Sequence, residues 1–140
     1  MNNLKVIILA AGEGKRLRPL TNNIPKCMVD FFGRSLLQRQ IDIFQNLGIN
    51  DISVVTGYCE NKISIDNIKK FKNENFATTN MVESLFTARE KINDSVIVVY
   101  GDIVFESKII QKLIDSRHDI SVVIDKNWKD LWNVRFENPL

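Results

Sequence analysis

Four short apolar runs punctuate the chain: 5–10 (KVIILA), 51–57 (DISVVTG), 95–102 (SVIVVYGD) and 119–125 (DISVVID). Each is rich in Val and Ile and bounded by polar or turn-forming residues, so each predicts a strand buried on both faces. Between the first two lies SLLQRQIDIFQNLG (35–48), whose period is helical. Ser35 with Gln38 three later forms a capping box, Leu37, Ile41, Phe44 and Leu47 make the apolar stripe, and Gly48 stops the helix. A second helix is predicted in NMVESLFTAREKI (80–92), with Asn80 as cap and Glu83 at the third helical position. Val82, Leu85, Phe86 and Ile92 follow helical spacing there, broken by Arg89. SKIIQKLIDS (107–116) predicts a third helix and NKISIDNI (61–68) a short one. FKNENFATT (71–79) is polar and irregular, with room for at most a short strand. The tail DLWNVRFENPL (130–140) reads as the start of another strand without a closing element.

Strand–helix alternation of this kind predicts an α/β fold: a Rossmann-like, mostly parallel sheet with helices on both faces and right-handed crossovers. A single domain over 1–140, incomplete at its C-terminal side, is the expectation. Ligands of such sheets bind beyond the carboxyl ends of the strands. That directs attention to the loops at 10–20 and 100–106.

Composition changes this picture little. At 140 residues, 44% hydrophobic and 26% charged, the chain can bury a core without a metal or disulfide staple. Cys27 and Cys59 have no CxxC spacing and no neighbouring histidine, which argues against a zinc or redox site and for a reducing, cytoplasmic setting. The N-terminal segment is too short for a signal peptide, and no apolar run reaches the ~20 residues of a membrane span. Charge is more informative. The net value is +2, yet residues 1–40 hold seven Lys or Arg against two acids, a local +5, while the remainder is net −3. A positive first quarter on an acidic body fits a local anion site better than a nucleic-acid surface, although chance clustering gives the same count.

The loop after the first strand runs VIILAAGEGKRLRPL (6–20). A dinucleotide fingerprint needs a third glycine, and Gly12-Glu13-Gly14-Lys15-Arg16-Leu17 has leucine there. A P-loop needs Ser or Thr after its lysine, and Arg16 follows Lys15. What remains is a glycine turn whose amides can face phosphate oxygens, with Arg16 as a forked cation, or simply a tight strand–helix turn. Pro25 fixes the backbone before Lys26, which then projects a point charge toward a second anion or into solvent. Asp102 follows a strand and a glycine, where a carboxylate serves a hard Mg²⁺ beside phosphates or caps a turn.

Taken together, Leu9-Ala10-Ala11-Gly12-x-Gly14-x-Arg16, Pro25-Lys26 and Tyr100-Gly101-Asp102 resemble the nucleotidyltransferase (pyrophosphorylase) family, in that family's order and at suitable spacing. Those enzymes join a nucleoside triphosphate to a phosphorylated sugar or alcohol and release pyrophosphate. The segments TTNMVESLFTA and DKNWKDLWNVRF look most like phosphocholine cytidylyltransferases and related enzymes of surface-polysaccharide pathways. The resemblance implies the nucleotide-diphospho-sugar transferase type of fold, with CTP as donor and Mg²⁺ as cofactor. It implies nucleotide contacts from Leu9, Ala10, Ala11, Gly12, Gly14 and Lys15, with Arg16 on the β- and γ-phosphates. Thr79, Asn80 and Ser84 would line the base and ribose, Lys26 would meet the acceptor phosphate, and Asp102 the metal. Cys27-Met28 stand where sugar-specific members more often carry Pro-Leu, and the family usually takes a second metal carboxylate from farther downstream.

A choline headgroup favours aromatic faces, so Trp132 is expected in the acceptor pocket, with Trp128 and Tyr58 as weaker candidates and Asp102 or Asp125 as charge partners. Three functional readings stay open: transfer of CMP to a phosphorylated alcohol, transfer to a hexose 1-phosphate, and a non-catalytic nucleotide-binding module. No nucleic-acid or membrane partner is expected. A homo-oligomer paired through the sheet edge after WNVRF is compatible with the pattern.

Overall fold

The computed structural model describes residues 4–135, in two compact units that divide after Phe105. The first unit contains β1 (Lys5–Leu9), the two-residue strands β2 (Asp30–Phe31) and β3 (Arg34–Ser35), and α1 (Leu36–Asn46). It continues with β4 (Asp51–Thr56), β5 (Lys69–Lys72), α2 (Met81–Thr87) and β6 (Val96–Tyr100). The second unit holds α3 (Ser107–Ile114) and α4 (Trp128–Arg135).

Four strands form one parallel sheet in the order β5-β4-β1-β6. Leu9 lies opposite Val55 on one side and Tyr100 on the other, so the carboxyl ends of three strands finish level. Side chains alternate between faces. Val6, Ile8, Ile52, Val54, Ile97 and Val99 point to one face, and all are buried. The helix over that face is α1, whose Leu37, Ile41 and Phe44 are fully buried. Ile7 and Val55 point the other way and pack with Ala88 and Leu85, at the end of α2. Burial of each such Val, Leu or Ile stabilises by about 1.5–3 kcal/mol.

Local chemistry accounts for the element ends. The Ser35 hydroxyl accepts from Gln38 N at 3.2 Å, one half of the expected capping box; the Gln38 side chain turns instead to Asp42. Gly48, at φ 79°, ends α1 in the left-handed region. Asn80 caps α2 by accepting from Val82 N and Glu83 N.

Several expectations need correction. Residues 119–125 form no strand. Ile120, Val122 and Ile124 are 86%, 78% and 72% exposed, and among the described residues no backbone–backbone hydrogen bond involves 117–126. β-propensity makes a strand only where a neighbour supplies the ladder, and none does so here. The tail is helical, not extended, over Trp128–Arg135, where Trp128 and Trp132 stack edge-on at 6.4 Å in the spacing of one helical turn; residues 136–140 lie outside the described residues. The stripe expected on α2 is not the buried one: Val82 and Phe86 are more than half exposed, and Ser84 faces inward. In 61–68 only a 3₁₀ turn, Glu60–Lys62, forms. β5 begins earlier than the irregular segment in which a short strand was allowed, and its three lysines mark it as a sheet edge. Sequence reading missed the β2–β3 hairpin, whose turn places Phe32 and Gly33 at φ 53° and 80°. Among the described residues no helix is long and apolar enough to cross a membrane.

Candidate active site

Past Leu9 the chain stays pinned to the sheet for two more residues. Ala10 N donates to Val55 O at 2.9 Å, and the Ala11 carbonyl accepts from Tyr58 N at 3.0 Å. On the other flank Gly101 N donates to Leu9 O at 2.9 Å. Glycine at two strand ends makes this descent possible. A Cβ on Gly57 would stand 2.7 Å from the Ala11 carbonyl and 2.7 Å from Phe76 Cβ, and one on Gly101 would stand 3.0 Å from Ala10 Cβ. Gly57 and Phe76 were not singled out in the sequence, because nothing in a periodic pattern marks a close approach between loops.

The loop then opens. Space in front of Gly12 is clear, Gly14 adopts φ 66°, and Lys15–Leu17 form a 3₁₀ turn. The buried Thr21 hydroxyl donates to Gly14 O at 2.9 Å, and the Tyr58 hydroxyl donates to the carbonyls of Thr21 and Asn22. Among the described residues no acceptor meets the backbone N–H groups of Ala11, Gly12, Glu13, Gly14, Lys15 or Arg16. Ala11 is buried and the other five residues are exposed or half-buried, so these six amides are open to solvent or to a ligand. Successive free amides in a turn are a chemistry that suits an anion. A cavity of about 260 Å³ opens there, lined by Glu13, Gly14, Lys15, Phe76 and Ala77.

Charge around this loop is unevenly paired. Glu13 takes both Lys15, at 3.4 Å, and Arg18, at 3.3 Å. Arg16 is exposed and makes no ion pair among the described residues, so its guanidinium is available to a ligand. Lys26 follows Pro25, at φ −70°, on its own 3₁₀ turn and meets Asp102 with Nζ to Oδ2 at 2.5 Å. Its stem lies against Gly14, where a Cβ would come within 2.9 Å of Lys26 Cβ. Gly14, Lys26 and Asp102 thus occupy one place at the carboxyl end of the sheet, with Arg16 two residues along the same loop.

Thr79, Asn80 and Ser84 occupy the approach to α2 and its first turns. Asn73, unnoticed in the sequence, organises them: its Nδ2 donates to Thr79 Oγ1 at 2.9 Å and to Ser84 Oγ at 3.0 Å. Asn80 spends its side-chain oxygen on the helix cap. Cys27 is buried beside Lys26, and burial pushes its thiol up to about 12, which keeps it protonated and non-nucleophilic. In the second unit Trp128 and Trp132 present a half-exposed aromatic pair on α4.

No cluster of three or more His, Cys, Asp or Glu capable of holding an ion exists among the described residues. Asp102 is a single carboxylate, partly exposed and paired with Lys26. That fits Mg²⁺, which takes one or two carboxylates and fills its shell with water and substrate phosphates, and does not fit an all-protein cage.

Comparison with known proteins gives the same direction. The MobA-like NTP transferase domain matches residues 6–133. The chain is 38% identical to the CTP:phosphoglutamine cytidylyltransferase of Campylobacter jejuni, over 98% of this chain and 58% of that relative. It superposes on the solved CTP:phosphocholine cytidylyltransferase of Streptococcus pneumoniae with a TM-score of 0.69 at 34% identity, over 74% of this chain and 47% of the other. A nucleotidyl transferase from Methanothermobacter, only 16% identical, shares the fold with a TM-score of 0.65 over 80% of this chain and 56% of its own. The chain spans about half the length of the curated relatives it matches.

Proposed function

The chain belongs to the MobA-like NTP transferase family, and on that premise we propose that it transfers CMP from CTP to a small phosphorylated acceptor, phosphocholine or a phosphorylated amino-acid amide, with release of pyrophosphate. The observation that carries this reading is the run of unengaged amides from Ala11 to Arg16 beside an unpaired guanidinium. An electrostatic pocket of that kind suits a triphosphate. The choice of CTP is supported by the names of the two most similar relatives described above, which share that donor and differ in acceptor.

No protein nucleophile is required. A phosphomonoester has its second pKa near ~6 and presents a dianionic oxygen at neutral pH. That oxygen forms the new bond to the α-phosphorus, and the bond from the α-phosphorus to the bridging oxygen breaks, so pyrophosphate departs with the electron pair. The obstacle is the approach of one anion to another, and the protein's task is positioning and charge neutralisation. Amides of 11–16 and Arg16 hold the departing β- and γ-phosphates. Lys26 holds the acceptor's phosphate in line. Asp102 would hold Mg²⁺, which would supply further neutralisation of phosphate charge. A cationic headgroup would suit an aromatic face, for which Trp132 is the candidate in the second unit.

One panel tests this. The chain is incubated with Mg²⁺ and each nucleoside triphosphate against choline phosphate, phosphorylated glutamine and hexose 1-phosphates, and pyrophosphate is measured. Release confined to CTP with the first two acceptors is the expected outcome. Release only with a hexose 1-phosphate moves the protein to nucleotide-sugar synthesis, and saturable CTP binding without pyrophosphate from any pair makes it a binding module.

A further inference from the structure

Gln40 sits in the middle of α1 and is 2% exposed. Its Nε2 donates to two backbone carbonyls, Tyr100 O at 2.9 Å and Ile103 O at 2.7 Å. Those carbonyls bracket Gly101 and Asp102. The orientation of the amide is forced, because turning it over would set its oxygen against two carbonyl oxygens. Its own Oε1 is buried with no partner among the described residues. A buried amide with an orphaned acceptor is a poor device for stability, since the desolvation of that oxygen offsets what the donated bonds contribute. Both bonds it does make go to one loop. From the opposite side Gly101 N is held by Leu9 O, so the backbone around Asp102 is clamped between β1 and α1 while the carboxylate itself pairs with Lys26.

We propose that Gln40 is a positioning residue: it fixes the loop of Asp102 so that the carboxylate meets the metal–nucleotide without reordering the backbone. The inference rests on the reading of Asp102 given above. Nothing in the helical stripe of α1 distinguishes Gln40, which occupies an inward position where an apolar side chain would satisfy the pattern.

The test uses the full chain and the variants Gln40→Met, Gln40→His, Asp102→Asn and Ile41→Val. Mn²⁺ affinity of the CTP complex is read by electron paramagnetic resonance, and amide exchange is followed over 100–104. Gln40→Met keeps the volume and removes both donors. It is expected to weaken Mn²⁺ binding about 10–100-fold, the range usual for residues that support a metal ligand, to speed exchange at 102–104, and to leave metal-free CTP affinity within about threefold. Gln40→His retains one donor and should fall between, and it answers the question if Gln40→Met does not fold. Ile41→Val perturbs the same helix and should lower the melting temperature by a few degrees with metal affinity unchanged. The inference is overturned if Gln40→Met matches wild type in Mn²⁺ affinity and exchange while Asp102→Asn loses the metal, or if Ile41→Val reproduces the loss. A different result, Asp102→Asn binding Mn²⁺ as wild type does, would instead overturn the role of Asp102 beneath it.

Discussion

Lys26 and Gly14 are interdependent. The lysine stem occupies the space a Cβ on Gly14 would need, and Gly14 holds a backbone angle that costs a side-chain-bearing residue about 1–2 kcal/mol. Gly14→Ala is therefore expected to lose stability on that scale, measured by denaturant unfolding, and, on the role proposed for Lys26, to raise the KM for the acceptor through displacement of that side chain. Lys26→Ala removes the charge while leaving the loop its glycine. Its expected effect is a fall in turnover of ~10²–10³, the usual consequence of deleting one electrostatic donor, with the melting temperature little changed. Turnover equal to wild type at saturating substrates would remove Lys26 from the chemistry. Cys27 makes a separate point. With its thiol raised to about 12, only about one molecule in ten thousand carries the thiolate at pH 8. Alkylation at that pH should modify Cys59 alone until denaturant is added, as peptide mass mapping will reveal. The linked stability follows in sign: the folded protein retains a proton that the unfolded chain releases near pH 9, so stability contributed by this residue declines between about pH 9 and 12.

At the scale of elements, α2 shows how a helix cap falls on a residue proposed for the site. Asn80 closes the first turn with two accepted hydrogen bonds. Asn80→Ala should destabilise by about 1 kcal/mol, and Asn80→Asp, which caps equally well, should restore it; equilibrium unfolding of the pair measures the difference. Asn80 also illustrates what was legible in the sequence. The strands at 5–10, 51–57 and 95–102, the stripe of α1 and the caps at Ser35 and Asn80 could be read, because period and capping chemistry are local properties; burial of 95–102 on both faces could not, and Val98 and Tyr100 of β6 are exposed. Lys26 and Asp102 could be singled out as charged residues at loop positions, but their direct contact spans 76 positions and has no local signature. The misread elements failed for a related reason. The run at 119–125 has strand composition without a ladder partner among the described residues, and α4 gains its aromatic pair only once it is helical. Asn73 and Gln40 escaped notice because a buried amide is recognised by what it bonds, and those partners are set by the fold.

The whole molecule divides into two units of different character. The first carries the parallel sheet and its core, whereas 117–126 in the second has exposed apolar side chains and, among the described residues, no backbone ladder. Brief trypsin treatment should cut first after Arg117 or Lys126 and leave the bonds within β1, β4 and β6 intact, as mass spectrometry of the fragments would establish. The contact between Lys26 and Asp102 has its consequence at this scale too. Lys26 and Asp102 neutralise each other. On the roles proposed above, a nucleotide-bound cation that engaged Asp102 would release Lys26 for the acceptor's phosphate. Steady-state kinetics are then expected to show CTP binding ahead of the acceptor, and random-order binding would remove this coupling.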